Sequence, residues 1–251
     1  MSNALDNIFA SDPELAERAE RAEANARPDL AGVFRNYEAD PDGGFPIPQH
    51  QWMVTTALPA TAEAVAELLG GTPYERETEA EDAMAVKTDA DRVEVVIDGP
   101  EAVRLDFKQW VNGKLAHHCD TRTFLSPPED VGAPCRCPGT IAELKSRATA
   151  ERGPKPSIEI DFTLPHALEL GRFRYKSSGW SLIPELPVLK GTLAKSGGPS
   201  LAYLINERVQ YTSKKTGRDV DYQKATVKVI KPYGDAITDT PAAAIEEEPP
   251  F

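Results

Sequence analysis

Cys119, Cys135 and Cys137 are the only cysteines in a chain of 251 residues, and His117 and His118 stand immediately upstream of the first. Thiolate and imidazole are the donors zinc takes in a structural site, which usually closes with four N or S ligands. Read as His-x-Cys…Cys-x-Cys, the residues His117, Cys119, Cys135 and Cys137 supply such a set. Arms of one intervening residue are shorter than the commoner spacing, so three unrelated thiols near a turn remain the competing reading. An odd number of cysteines argues against a closed set of disulfides. The cofactor this reading predicts is a structural zinc ion.

The strands around the cluster decide which histidine is offered. Val103, Leu105 and Phe107 alternate with Arg104, Asp106 and Lys108, a half-buried strand pattern. Asn112-Gly113 is a strong two-residue hairpin signal. Folding the chain there pairs Trp110 with Leu115, Lys108 with His117 and Phe107 with His118. Side chains alternate across a strand. His118 is therefore expected on the apolar face of Phe107, with His117 and Cys119 together on the opposite face. Thr140-Ile141-Ala142-Glu143 is a capping box that opens a helix just after Cys137. The positive end of that helix would favour thiolate at Cys137.

Length permits a substantial core, in one large domain or two small ones. Acidic residues interrupt the N-terminus and no apolar run reaches membrane-spanning length, so a soluble cytoplasmic protein is expected. Charge is unevenly spread. Residues 1–101 carry a net −15, residues 102–234 a net +8, and residues 235–251 a net −5. Such asymmetry suggests opposed electrostatic surfaces and a basic partner for the first part. It disfavours tight, independent DNA binding by the whole chain, since phosphate neutralisation needs a basic surface.

The expected fold class is α+β, with two antiparallel-hairpin-rich halves that each hold a short helix. A second capping box at Ser11-Asp12-Pro13-Glu14 starts a helix with almost no large apolar face, predicting an N-terminal helical arm over residues 1–37. Residues 45–150 form the first half, with strands at 51–58, 83–87 and 93–97, a helix over 60–69, and a zinc-knuckle-like insertion. Arg152-Gly153-Pro154-Lys155-Pro156 marks the boundary. Residues 156–232 form the second half, which closes on a long hairpin. The Pro-, Ala- and Glu-rich residues 233–251 are expected to be a disordered acidic tail.

Catalytic constellations are sparse. There is no Gly-rich phosphate loop, no Gly-x-Ser-x-Gly elbow and no His-Glu-x-x-His. His117-His118-Cys119-Asp120 and Pro134-Cys135-Arg136-Cys137 both miss the zinc-deaminase signature. Four protein ligands would also leave no open coordination position, so a zinc hydrolase or nuclease is disfavoured and no enzyme is expected. Cations alternate with aromatics at Arg172, Arg174 and Lys176, and Lys214, Lys215 and Arg218 sit in the turn of the long hairpin. These six are the candidates for nucleic-acid contact. For the first three, a half-buried edge strand with protective charges is the plainer alternative.

Several segments carry a resemblance: Phe45-Pro46-Ile47-Pro48, Gln109-Trp110-Val111-Asn112-Gly113, His118-Cys119-Asp120, Pro134-Cys135-Arg136-Cys137-Pro138 and Gly153-Pro154-Lys155-Pro156-Ser157. With the hairpin Lys214-Lys215-Thr216-Gly217-Arg218-Asp219-Val220, they resemble the recombination directionality factors of actinobacterial phages over about residues 1–232. Residues 166–190, with Pro184 and Pro187, fit that pattern least. The resemblance implies a phage protein in the bacterial cytoplasm that binds a large serine integrase. It implies a switch of that integrase from integration to prophage excision, without chemistry of its own. DNA is then met indirectly, through the integrase complex. The alternative is a single-stranded-DNA-binding or replication accessory protein of a phage.

Overall fold

Alternation of apolar and polar residues makes strands the commonest regular structure among the described residues, and the helices there are few and short. The computed structural model describes residues 30–38, 47–78, 80, 82–212, 214, 217 and 219–238. In chain order these form β1 (Leu30–Glu38), β2 (Ile47–Thr56), α1 (Pro59–Leu69), β3 (Thr72–Glu75), β4 (Met84–Lys87) and β5 (Arg92–Ile97). Then follow β6 (Val103–Val111), β7 (Lys114–Cys119), β8 (Phe124–Ser126), α2 (Ile141–Thr149), β9 (Lys155–Phe162) and β10 (Arg172–Ser177). The remainder is α3 (Leu186–Ser196), β11 (Ser200–Thr212), β12 (Asp219–Pro232) and α4 (Tyr233–Thr238). Among the described residues no helix is long and apolar enough to cross a membrane.

Nine strands form one sheet in the order β3-β4-β2-β1-β10-β9-β6-β7-β8, and three form another in the order β12-β11-β5. Both sides of the expected boundary at 152–156 therefore contribute to the large sheet, where β9 and β10 lie between β1 and β6. Such interleaving arises from long-range pairing, which local turn signals do not encode. Leu30–Glu38 is a strand inside this sheet, so the helical arm assigned to residues 1–37 does not hold to its end. The Ser11 capping box, residues 39–46, Lys215, Arg218 and residues 239–251 lie outside the described residues. The first six residues after 232 form the short helix α4.

One apolar cluster joins the two sheets to α3. Ile158, Ile160 and Phe162 of β9 face it together, as their alternation demands, beside Phe173 and Tyr175 of β10. Phe34 meets Trp52, Phe162 and Phe173 edge-on, at ring-centroid distances of 6.0, 5.2 and 5.7 Å. Aromatic pairs of this geometry contribute about 0.5–1.5 kcal/mol beyond area burial. Gly70 and Gly71 stop α1 with φ of 75° and 89°, conformations that favour glycine.

β10 is central, between β1 and β9, rather than the edge strand its charges suggest. Neighbouring carboxylates make this tolerable. Arg174 is only 3% exposed, and its Nη2 donates to Asp161 Oδ2 at 2.7 Å while Nη1 lies 3.1 Å from Glu159. Arg104 of β6 reaches the same two carboxylates at 2.9 and 3.1 Å.

Candidate metal centre

The β6–β7 hairpin turns at Asn112-Gly113, whose φ values of 51° and 76° suit the tight turn that dipeptide encodes. Its register departs from the sequence expectation by one residue. Trp110 faces Leu115, but Gln109 faces His117, Lys108 faces His118 and Phe107 faces Cys119. A bulge leaves Ala116 as the extra residue on β7. Because alternation has a period of two, this single residue exchanges the faces. His117 and Cys119 thus share the core side with Phe107, and His118 lies on the other. Nothing in the local sequence marks the bulge.

His118 is held on both ring nitrogens, with Nδ1 2.9 Å from Ser126 Oγ and Nε2 3.3 Å from Asp106 Oδ2. His117 instead meets the Phe124 ring at a tilt of 54°, with centroids 4.8 Å apart, and lies 3.4 Å, through Nε2, from Cys137 Sγ. Cys119 Sγ lies 3.6 Å from Cys137 Sγ. One donor atom each from His117, Cys119, Cys135 and Cys137 falls within 4.8 Å of the other three.

Two backbone turns aim the sulfurs. Arg136, between Cys135 and Cys137, is left-handed with φ 55°, so the two thiols turn toward one point. Thr121 is left-handed with φ 81°, and its N–H donates to Cys119 Sγ at 3.4 Å. A non-glycine residue in this region costs about 1–2 kcal/mol, so surrounding bonds must hold it. They do so here: Cys135 N–H donates to Arg122 O at 2.9 Å, and Asp120 Oδ1 accepts from the N–H groups of Arg122 and Thr123 at 2.8 and 2.7 Å. Thr140 caps α2 by accepting from Glu143 N–H at 3.3 Å, as the capping box requires.

Burial suppresses charge on the cluster's own groups. Burial pushes the Cys119 and Cys137 thiols well up from their ordinary range. Burial also lowers the His117 pKa, with the neighbouring His118 adding to it, which keeps the imidazole neutral and able to ligate. The thiolate expected at Cys137 from the α2 N-terminus is thus opposed by burial. A tetrahedral zinc site has S···S edges of about 3.8 Å and S···N edges of about 3.6 Å, from its usual bond lengths. The observed 3.6 and 3.4 Å lie close to these, so the four donors are compatible with zinc. Their number leaves no position for a substrate.

A model of the Gp3-like family, described as recombination directionality factor-like, matches residues 20–232. The chain belongs to this family. The match contains all four donors and every strand of both sheets. The family is not a known class of enzyme, and its description places the chain among phage recombination proteins. No solved structure matches.

The other candidate residues are not brought together. Arg174 is buried among carboxylates and presents no charge to an outside partner. Arg172 lies 3.7 Å from Asp161. Lys214 is exposed at the far end of the β11–β12 hairpin. Sequence reasoning missed the cluster's supports Phe124, Thr121 and Asp106. Of these only Asp106 carried any signal, by sharing a strand face with Lys108.

Proposed function

We propose that this protein is a non-catalytic factor that binds a large serine integrase and switches it from integration to prophage excision. Membership of the recombination directionality factor-like family over residues 20–232 is the observation that carries this reading. The factor works by population shift. It must favour one arrangement of the DNA-bound integrase over another, and moving a 1:99 balance to 99:1 takes about a 10⁴-fold difference in affinity. Zinc at His117, Cys119, Cys135 and Cys137 braces the knuckle, and supplies folding energy rather than chemistry.

The acidic side of the protein is the surface offered to the basic integrase. Glu63 and Glu67 are exposed on α1, with Glu75 and Glu77 exposed beside it. Asp82, at the end of the same acidic stretch, is turned inward instead. It accepts from Thr55 Oγ1 at 2.6 Å and lies 3.1 Å from Arg35 Nη2. Co-elution of the protein with its cognate integrase tests the assignment. Reversing Glu63, Glu67, Glu75 and Glu77 to Lys should weaken association at least tenfold, and unchanged association would refute this surface.

A further inference from the structure

The strongest unexplained feature lies beside the β6–β7 hairpin and shares no lining residue with the metal cluster. An open groove of about 650 Å³ runs past the β6–β7 hairpin and the ends of β9 and β10. Lys108, Trp110, Lys155, Ser157, Lys176 and Ser178 are among the residues that line it. Lys108 stands directly opposite Lys155 in the β6–β9 register. Like charges at such a position destabilise a sheet. Their compensation is slight: Asp106 Oδ2 is 4.0 Å from Lys108 Nζ, and Lys155 has no ion-pair partner among the described residues. Among the described residues on the groove wall, Glu151 is the one acidic residue against three lysines. Arg147 and Arg152 are exposed on the same stretch of chain.

Trp110 is 62% exposed beside these lysines. An exposed indole on the same groove wall as lysine ammonium groups and serine hydroxyls is the pairing that single-stranded nucleic acid uses. Phosphates take the lysines and hydroxyls, and a base stacks on the ring. A peptide of Asp and Glu alone would use the lysines but offers no aromatic ring to the indole.

We propose that this groove is a single-stranded nucleic-acid site, with Lys108 and Lys155 on the phosphates and Trp110 under a base. It is distinct from the metal cluster and from the acidic α1 surface, and stands whether or not the integrase reading does. A net charge of −12 makes the binding weak and confined to low salt.

The test titrates a short fluorescein-labelled DNA single strand with the full chain, by anisotropy and tryptophan fluorescence, over a range of salt. A saturable rise with quenching is expected. The slope of log K against log salt should fall by about 1.4 in Lys108→Ala/Lys155→Ala, since each phosphate contact on a single strand contributes about 0.7. Trp110→Ala should lose about tenfold in affinity, and Trp110→Phe should retain most of it. Lys108→Arg/Lys155→Arg keeps the charge and should keep binding, which separates loss of contact from loss of fold. Absence of binding at low salt, an unchanged slope in the alanine pair, or equal binding of poly-glutamate would overturn the site. Excision supported by a protein that binds no single strand would sink this proposal alone. Binding without any effect on excision would sink the integrase reading alone.

Discussion

At the scale of single residues, Asp161 and the cysteine cluster each carry a prediction. Asp161 is 4% exposed, and although burial pushes its carboxyl up, hydrogen bonds from Arg174 and Arg104 outweigh this and hold it below the usual range. A depressed folded pKa contributes stability above the unfolded value, near pH 4, that is lost as pH falls through the folded one. Asp161→Asn should therefore cost about 3 kcal/mol at neutral pH, because it leaves Arg174 partly unpaired in the interior. The same variant should flatten the acid limb of stability relative to the parent, measured by urea unfolding at a series of pH values. An acid limb of equal steepness in both proteins would remove Asp161 as its cause. The cysteines make a second prediction. Elemental analysis should find one zinc per chain, and Cys119→Ala or Cys135→Ala should lose it and melt well below the parent. His118→Ala should keep the ion, since both nitrogens of that ring are turned to Ser126 and Asp106. The four ligand types were legible from residue identity alone. The choice of His117 followed from its sharing a face with Cys119, a relation that survives the bulge.

Among the elements, turn and cap chemistry gave reliable positions. Asn112-Gly113 places the β6–β7 turn, and Gly113→Val, forced to φ near 76°, should cost about 1–2 kcal/mol in thermal unfolding. Thr140→Ala should cost about 1 kcal/mol by removing the α2 cap. No change in either variant would mean these ends are held by packing instead. The register of β6 on β7 was not legible, because a bulge at Ala116 depends on what the neighbouring strands require. β1 was missed for a related reason. Its apolar run Ala31 to Phe34 is short and follows a polar, helix-like leader, yet it is buried once β2 and β10 flank it. α3 begins with Pro187 in its first turn, where proline is tolerated, so the proline that obscured a helix in the sequence marks its start.

For the whole molecule, the class of the fold was readable and its wiring was not. Alternating strands and short helices identify an α+β protein, but the interleaving of β9 and β10 between β1 and β6 rests on β6–β9 pairs 47 to 57 residues apart in the chain. One nucleic-acid candidate, Arg174, is lost on the same ground. Arg174 looks available in a one-dimensional pattern and is enclosed once β9 brings Asp161 and Glu159 beside it. Conversely, Lys108 and Lys155 face each other only in the folded sheet. If the metal braces the knuckle, its removal should be felt globally, since Cys119 and Cys135 belong to the main apolar cluster. The apparent binding energy coupled to folding is on the order of 10 kcal/mol for structural zinc. Chelation should lower the thermal midpoint by many degrees, with recovery on adding zinc, and an unmoved midpoint would deny the ion a structural role. The central claim concerns direction of recombination. It is tested most directly by incubating the cognate serine integrase with hybrid attachment sites, with and without this protein. The expected result is excision only when the protein is present, with integration suppressed in parallel. Hybrid sites that recombine equally well, or equally poorly, in both mixtures would contradict it.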